Sequence, residues 1–518
     1  MSHKNEFLLT KIIATLGPAS ESVETILQLI EEGARAFRIN FSHGAFEEHE
    51  RILNNVRRAG EQSGVPVAVI GDLSGPKIRI GKVAEGGVRL AAGMAVAFQK
   101  EPVVAGEPAG DSPGELVFST TYPRLVEEVK PGQQVLLDDG SVRLVCLDKT
   151  GKGGKAKLIC EARNGGLITS GKGINLPDTN LSLPALTEKD QRCIRFAVEK
   201  GFDFLAQSFV RNGEDVRLLK DRLRDLGVRP TRPRSRKERD QQFAIISREF
   251  REFIPVISKI EKPQAVANLE EIIAETDAVM VARGDLGVEM DLAEVAVLQK
   301  RIIGLCHDYG MPVIVATQML QSMIEAPVPT RAEVSDVANA IFDGVDAVML
   351  SGETAVGKWP VEAVRMMNRI AGKTNQYLRS RAVDSSSPRK LQALKHRTPA
   401  LAHGVKTIVR DIDARLMAVW SSMGGAAIFL SQQRMPRPII AFSANPEILR
   451  RMALLYALTP VFMEQPASTA EFLKQVDELL LEKKWASRND PIVLVLAQPI
   501  QQTGIANEIC IHYVGESL

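Results

Sequence analysis

Residues 254–285, IPVISKIEKPQAVANLEEIIAETDAVMVARGD, contain the repeating unit from which the fold of the chain is predicted. An apolar run rich in Val and Ile comes first, then a segment whose apolar residues recur three and four positions apart, then a second apolar run. This order predicts a strand, a helix and a second strand. The two strands should pair in parallel, because a parallel strand needs a long crossover connection such as a helix.

The same unit recurs along the chain and supplies eight strand candidates. They lie at residues 8–17, 34–42, 66–73, 203–210, 253–261, 277–285, 311–319 and 345–353. An open doubly wound sheet shares this local α/β pattern with a closed TIM (β/α)8 barrel. The count of eight favours the barrel.

Two regions interrupt the repeat, and a third region follows it after residue 381. Residues 78–181 change to short alternating segments with many Gly and Pro turns, which predicts a small inserted β-barrel domain that covers the barrel mouth as a lid. The arginine-rich stretch 229–251 is interpreted as a solvated surface insertion on the face away from the chemistry. The predicted domains are the barrel (1–77 and 182–381), the lid (78–181) and a C-terminal α/β domain (382–518).

Composition limits the class of protein. The 518 residues are 45% hydrophobic and 25% charged, and a net charge of +2 gives no general attraction to nucleic acid or to a membrane. Five scattered cysteines without a CxxC pair indicate neither a disulfide framework nor a zinc site. Because no apolar stretch resembles a signal peptide or a membrane span, we expect a cytoplasmic protein.

Polar side chains close most of the predicted strands. They are Arg38, Asn40, Asp72, Ser208, Lys259, Glu261, Arg283, Asp285, Thr317, Ser351 and Glu353. Any one of them could be a capping or ion-pair residue at a strand–helix junction. In a TIM barrel, however, the C-terminal ends of the strands surround one mouth, so the set as a whole predicts an active site there.

Two of these residues, Glu261 and Asp285, are carboxylates on consecutive strands with Lys259 and Arg283 beside them. Carboxylate oxygens bind Mg²⁺ or Mn²⁺, and such an ion often bridges to a phosphoryl group. Two buried salt bridges are the alternative interpretation. The neighbouring Gly284 indicates a tight backbone turn and favours the metal site.

Eight segments, in order along nearly the whole chain, closely resemble the signature segments of pyruvate kinases. They are RINFSHG, GDLSGPKIR, KGINLP, ISKIEKP, VARGDLGVE, ATQMLQSM, PTRAEVSDVANA and MLSGETAVGKWPVEAV. Motifs of this length are far more specific than a lone glycine motif. The resemblance implies an enzyme that transfers a phosphoryl group from phosphoenolpyruvate to ADP, and it implies a homotetramer.

The resemblance also implies roles for the residues at the strand ends. Glu261 and Asp285 would bind the divalent ion that holds phosphoenolpyruvate. Lys259 and Arg38 would offset negative charge on the phosphoryl group and on the enolate. Thr317 would support the water that protonates the enolate, with Ser351 and Glu353 nearby. The remaining residues assigned to the substrate are Ser208, Ala282, Arg283, Gly284, Asp285 and Thr317, with the backbone of 282–284 holding the carboxylate at a helix N-terminus.

For the nucleotide, the resemblance points to Pro18, Asn40, His43, Arg79 and Lys172. Lys172 comes from the end of the lid, and Asp138 is a lid residue that would meet the site when the lid closes and excludes water. Asp138 also suits a hairpin turn, and His43 also suits a structural role.

In most pyruvate kinases a K⁺ ion is bound by residues that match Asn40, Ser42, Asp72 and the carbonyl of Leu73. Leu73 and Lys77 resemble the branch that needs no K⁺, in which the lysine ammonium beside Asp72 supplies the positive charge. We therefore expect activity with Mg²⁺ or Mn²⁺ alone. The alternative is a Lys77 side chain exposed at the barrel rim without a catalytic role.

The segment SSMGGAA at 421–427 departs from the phosphate-binding effector loop common in this family. Met423 and Ala426 replace residues with hydroxyl groups, so the loop would lose hydrogen bonds to a phosphate. Either the effector differs or the domain serves mainly in assembly.

Two rival functions remain open. One is a barrel enzyme that handles pyruvate enolate without ADP, which the lid and Lys172 disfavour. The other is a catalytically silent homologue, which the complete set of charged residues disfavours.

Overall fold

The computed structural model describes residues 7–106, 116–151, 156–228, 254–380, 388–393, 397–502 and 506–516. The segment 229–251, predicted as a surface insertion, lies outside the described residues. Of the helices in those ranges, none has the length and apolar character that crossing a membrane would need.

The chain begins with two strand–helix units and a third strand. These are β1 (Lys11–Thr15), α1 (Val23–Glu31), β2 (Ala34–Asn40), α2 (Phe46–Ser63) and β3 (Ala68–Asp72). Ser22 caps α1 by accepting a hydrogen bond from the Thr25 amide, and Gly64 ends α2 with a φ of 65°. These caps place each helix so that the following strand returns to the sheet.

The inserted region folds as antiparallel and mixed β structure. Its elements are β4 (Ile78–Arg79), β5 (Val88–Leu90), β6 (Ala95–Gln99), β7 (Leu116–Ser119), α3 (Leu125–Glu128), β8 (Gln134–Leu137), β9 (Val142–Thr150), β10 (Lys157–Ala162), β11 (Gly166–Ile168) and β12 (Gly173–Asn175). Seven strands form a sheet in the order β4-β12-β8-β9-β10-β6-β7. A bridge between Ile80 and Thr120 links its two edges, so the sheet curls towards a small barrel.

The strand–helix alternation then resumes. The elements are α4 (Glu188–Lys200), β13 (Phe204–Gln207), α5 (Gly213–Asp225), β14 (Val256–Ile260), α6 (Pro263–Ala267), α7 (Leu269–Glu275), β15 (Ala278–Ala282), α8 (Arg283–Glu289), α9 (Leu292–Tyr309), β16 (Val313–Ala316), a 3₁₀ turn (Gln321–Ile324), α10 (Arg331–Phe342), β17 (Ala347–Leu350), α11 (Gly352–Ala355) and α12 (Pro360–Ser380).

Eight parallel strands close into a barrel in the order β1-β17-β16-β15-β14-β13-β3-β2. This arrangement confirms the predicted TIM barrel and excludes the open doubly wound sheet. Side chains such as Ile13, Ile70, Ile257, Met280 and Ile314 fill a buried cluster of strand residues separate from the core under the helices. The barrel is therefore a packed core whose chemistry must lie at its ends.

The C-terminal region is a second α/β unit. Its elements are α13 (Arg389–Ala393), α14 (Arg397–Asp411), β18 (Leu416–Trp420), α15 (Gly425–Ser431), β19 (Ile439–Ser443), α16 (Pro446–Met452), β20 (Leu458–Phe462), α17 (Thr469–Glu482), β21 (Pro491–Leu496) and β22 (Glu508–Tyr513). The strand order is β20-β19-β18-β21-β22, with only β22 antiparallel to its neighbour. The sequence predicts strands at 416–422, 436–443, 491–498 and 508–514, which match β18, β19, β21 and β22, whereas β20 was missed.

Two buried aspartates tie the C-terminal unit to the barrel. Asp203 precedes β13 and accepts from Arg450 at 2.9 Å, and Asp346 precedes β17 and pairs with Arg434. Because both aspartates stand before their strands, these contacts lie at the N-terminal end of the barrel. The inserted domain lies at the opposite, C-terminal end of the barrel, where the mouth is. The numbered domain boundaries remain predictions.

Candidate active site

A chain of charged side chains crosses the barrel mouth at the ends of four adjacent strands. Asp72 accepts from Arg38 Nε at 2.6 Å and from Ser208 Oγ at 3.3 Å, and it lies 3.5 Å from Lys259 Nζ. Lys259 also donates to Ser208 at 2.8 Å and pairs with Glu261 at 2.8 Å. Asp72 and Glu261 are each 1% exposed, so this network is nearly dry.

The network keeps its lysine charged. Burial by itself lowers the pKa of Lys259, but the negative charges of Asp72 and Glu261 outweigh it, and the pKa is raised. Burial likewise tends to raise the pKa of Asp72, yet the charges of Lys259 and Arg38 lower it below its ordinary value. The site therefore holds two fixed cations around one fixed anion.

Glu261 and Asp285 behave as a pair of mutually repelling carboxylates. Burial raises the pKa of Glu261, the charge of Lys259 opposes that rise, and the charge of Asp285 adds to it. The second oxygen of Glu261 accepts from the Phe209 amide at 2.6 Å. No cluster of three or more metal-ligating side chains occurs within the described ranges. Two oxygen donors that repel each other fit Mg²⁺, which usually takes few protein ligands.

The turn after β16 holds Thr317 in a strained conformation. Thr317 and Gln318 have φ values of 69° and 54°, which are costly for side chains with a Cβ and most of all for a β-branched one. Thr317 Oγ1 donates to the Ala316 carbonyl at 2.6 Å and accepts from the Gly284 amide at 2.7 Å. Thr317 and the N-terminus of α8 are thus joined directly.

The Arg283 side chain is engaged inside the protein, whereas the prediction placed only the backbone of residues 282–284 at the substrate carboxylate. Its guanidinium donates to the carbonyl oxygens of Thr317 and Gln318, at 2.9 and 3.2 Å, and to Asp336 at 2.8 Å. All of these contacts support the strained turn. The predicted carboxylate cradle falls to the backbone of residues 282–284, of which the Gly284 amide already donates to Thr317 Oγ1.

Glu353 also departs from the predicted catalytic role. Its carboxylate is fully buried and accepts from the amides of Leu320 and Ser351, at 3.1 and 2.7 Å. Because both oxygens hold backbone groups, Glu353 positions the loops after β16 and β17. Ser351 Oγ is buried and, among the described residues, has no hydrogen-bond partner.

A cleft of about 600 Å³ separates the inserted domain from the barrel mouth. Lys172 and Asp138 face it from the inserted domain as a 2.8 Å ion pair, and Arg79 is anchored there by a 2.8 Å bond to the Gly171 carbonyl. Asp285 lines the opposite wall. Of the other residues predicted to bind the nucleotide, Pro18 and His43 are exposed, whereas Asn40 is partly buried.

Lys77 does not lie beside Asp72 as predicted. It is exposed and lines the cleft. At the residues that match the K⁺ ligands of the resembled family, Asn40 Oδ1 accepts from the Ser42 amide, and Lys189 Nζ donates to the Ser42 carbonyl at 3.0 Å. Leu73, the fourth of them, is buried.

Sequence reasoning missed several supporting residues. Thr15 accepts from Arg38 at 3.3 Å and stands at the end of β1, so the strand-end rule could have found it. Asp336 lies inside α10 and Lys189 lies inside α4. Nothing in the local pattern marks either of them.

The sequence matches two family models. "Pyruvate kinase, barrel domain" matches residues 8–232 and 234–364, and "Pyruvate kinase, alpha/beta domain" matches residues 399–512. Relatives named pyruvate kinase from Corynebacterium efficiens and Mycobacterium intracellulare are 39% and 40% identical, with 98% of each chain covered. The chain belongs to the pyruvate kinase family.

A solved pyruvate kinase from Cryptosporidium parvum shares the fold with a TM-score of 0.82 at 32% identity, covering 98% of this chain and 96% of that one. The family assignment confirms the resemblance seen in the sequence motifs. Pyruvate kinases generally use a divalent metal such as Mg²⁺. The break in the barrel match between residues 232 and 234 falls inside the segment 229–251.

Proposed function

We propose that this member of the pyruvate kinase family transfers the phosphoryl group of phosphoenolpyruvate to ADP at the barrel mouth, giving pyruvate and ATP in the last step of glycolysis. The observation that carries the proposal is the state of Lys259, a buried lysine that stays charged because it lies beside Asp72 and Glu261. Next to this site is a cleft that the inserted domain covers.

Lys259 and Arg38 would stabilise the charge that develops during transfer. Both cations are held by Asp72, so their positions are fixed before substrate arrives. Preorganised charges in a dry site stabilise a transition state more strongly than mobile ones in water. The same two cations then face the enolate oxygen left after the phosphoryl group departs.

Glu261 and Asp285 would hold Mg²⁺ or Mn²⁺, which when bound supplies Lewis-acid stabilisation of substrate oxygens. The chain's own part is to present one carboxylate from the end of β14 and one from the first turn of α8. Ser208 contributes by bonding Lys259 and Asp72, which keeps the lysine close to Glu261.

Protonation of the enolate would occur next to Thr317. A threonine hydroxyl is too weak an acid to act alone, so its role is to orient a water. The Ala316 carbonyl fixes the direction of the hydroxyl proton, and Arg283 with Glu353 keeps the strained turn in place. Ser351, with its unpartnered buried oxygen, is suited to extend this relay.

The nucleotide would bind between the barrel and the inserted domain. That domain, residues 78–181, acts as the lid. Arg79 and Lys172 supply positive charge for its phosphates, and Asp138 orients Lys172. Closure excludes water and prevents simple hydrolysis of phosphoenolpyruvate. The remaining contacts would come from Pro18, Asn40 and His43.

A homotetramer and a cytoplasmic location complete the proposal. Leu292 and Val297 on α9 are 69% and 67% exposed, which supports a subunit contact there. The five free cysteines suit a reducing compartment. We assign no effector, because Met423 packs into the C-terminal core instead of offering a donor to a phosphate.

The test is pyruvate release by the full chain with phosphoenolpyruvate and Mg²⁺, with and without ADP. We expect release only when ADP is present. ADP-independent release would favour the rival barrel enzyme, and no release in either case would favour the silent homologue.

We expect the same rate with and without added K⁺. Lys77 and Lys189 line one pocket together with Ser42, so both place positive charge near a residue that matches a K⁺ ligand of other pyruvate kinases. In tetramethylammonium buffer the Lys77→Glu variant should lose activity about 5-fold and recover on addition of K⁺, since an exposed charge of this kind contributes at most about 1 kcal/mol. Lys82→Glu, on an exposed position of the inserted domain, is the control. A large stimulation of the wild type by K⁺ would contradict the proposal for Lys77.

A further inference from the structure

Glu289, the last residue of α8, joins three separate parts of the molecule. Its Oε1 accepts from Lys262 Nζ at 2.9 Å and from Asn175 Nδ2 at 2.8 Å. Lys262 directly follows Glu261, and Asp285 lies one turn before Glu289 on the same helix. Asn175 ends strand β12 of the inserted domain. One carboxylate therefore contacts both segments that carry the proposed metal ligands and also the lid.

The Glu289 carboxylate is buried and makes few hydrogen bonds. The Glu289 side chain is 1% exposed, and within the described part of the chain its Oε2 has no hydrogen-bond partner. A buried carboxylate is stabilised by the hydrogen bonds and ion pairs that it makes. Because Glu289 makes few of them, the hydrogen bond from Asn175 contributes a large share of its stabilisation. Separation of the lid from the barrel would remove that bond and admit water to Glu289.

A second part of the lid lies close to α8, beside the first contact. A Cβ placed on Gly140, at the tip of the β8–β9 hairpin, would lie 3.5 Å from Val288 Cγ1. Gly140 has a φ of 79° in a turn with Asp138 and Asp139, so the tip is defined by its backbone. The hairpin tip thus lies close to Val288, the residue before Glu289 on α8.

We propose that Glu289 is a positioning residue that couples lid closure to the placement of Glu261 and Asp285. With the lid closed, Asn175 and Lys262 hold the end of α8, which fixes Asp285 relative to Glu261. By reciprocity, whatever holds the two carboxylates in place also favours the closed lid. The inference rests on the proposed function for its meaning, although its test needs no turnover.

The first test measures Mn²⁺ binding without substrate, by electron paramagnetic resonance, in Glu289→Gln, in Asn175→Ala and in the double variant. We expect Glu289→Gln to weaken Mn²⁺ binding about 10- to 100-fold, as loss of a supporting residue around a metal does. Asn175→Ala should weaken it about 5-fold or more. The double variant should be no weaker than Glu289→Gln, because the two residues act through one bond.

Glu50→Gln is the control, since it breaks an exposed 2.6 Å pair with Lys200 outside the site. It should leave Mn²⁺ binding unchanged. Normal binding in Asn175→Ala would overturn the coupling even if Glu289→Gln fails to fold. Additive losses in the double variant would also overturn it.

The second test follows the lid itself by energy transfer between dyes on Asp148→Cys in the lid and Ala267→Cys in the barrel, both exposed positions. Cys510→Ser removes the one native cysteine that is not buried. Asn175→Ala should change the transfer efficiency of the free protein, and Mn²⁺ should move the unsubstituted lid toward its closed value. Identical efficiencies in all these samples would overturn the proposal, whether or not the chain makes pyruvate.

Discussion

Replacement of Lys259 by methionine is expected to lower kcat for ADP-dependent pyruvate formation about 1000-fold, the size of effect seen when a preorganised transition-state donor is removed. Methionine keeps much of the volume but has no charge to offer the phosphoryl group or the enolate. Asp72 keeps its ion pair with Arg38, so its buried negative charge is still balanced by one positive charge in the variant. Steady-state kinetics with saturating substrates measures the effect.

Lys220→Met is the matched control. Lys220 is also a buried lysine of the barrel, and it pairs with Asp277 at 3.0 Å before β15, away from the mouth. Its loss should lower thermal stability while kcat changes little. Equal losses of kcat in the two variants would mean that Lys259 acts only by supporting the fold.

Replacement of Glu261 by glutamine is expected to weaken Mn²⁺ binding by at least about 100-fold, the upper end of the range for residues that merely support a metal site. The neutral amide cannot supply the charge that a hard cation prefers. Activity at low Mg²⁺ should fall in parallel. Titration with Mn²⁺, without substrates, measures the loss.

Glu353→Gln provides the comparison, because Glu353 is equally buried but bonds two backbone amides. Its Mn²⁺ binding should remain close to that of the wild type, although the protein should be less stable. Weak binding in Glu353→Gln together with normal binding in Glu261→Gln would reverse the assignment of the metal ligand.

The fold could be predicted largely from strand count and spacing. Eight parallel strands follow from apolar runs separated by helical patterns, and all eight occur. Strand β20 was missed because Pro460 interrupts its apolar pattern. Proline is tolerated there since β20 forms an edge of the sheet.

The candidate site could be predicted only in part. The cluster around Asp72 and Lys259 follows from the rule that strand ends meet, which needs no knowledge of side-chain direction. The outward position of Lys77 and the burial of Glu353 depend on how loops turn after the strands. The contact between Glu289 and Asn175 joins residues 114 positions apart, and it depends on how one domain lies on another. Local sequence patterns carry no signal for such a contact.

The most direct test of phosphoryl transfer at this barrel mouth is phosphorus magnetic resonance of the wild-type protein with phosphoenolpyruvate, ADP and Mg²⁺. The account predicts that the phosphoenolpyruvate signal is replaced, one for one with pyruvate formed, by the γ-phosphate signal of ATP. Conversion of the phosphoenolpyruvate signal to inorganic phosphate, or its persistence, would contradict the account.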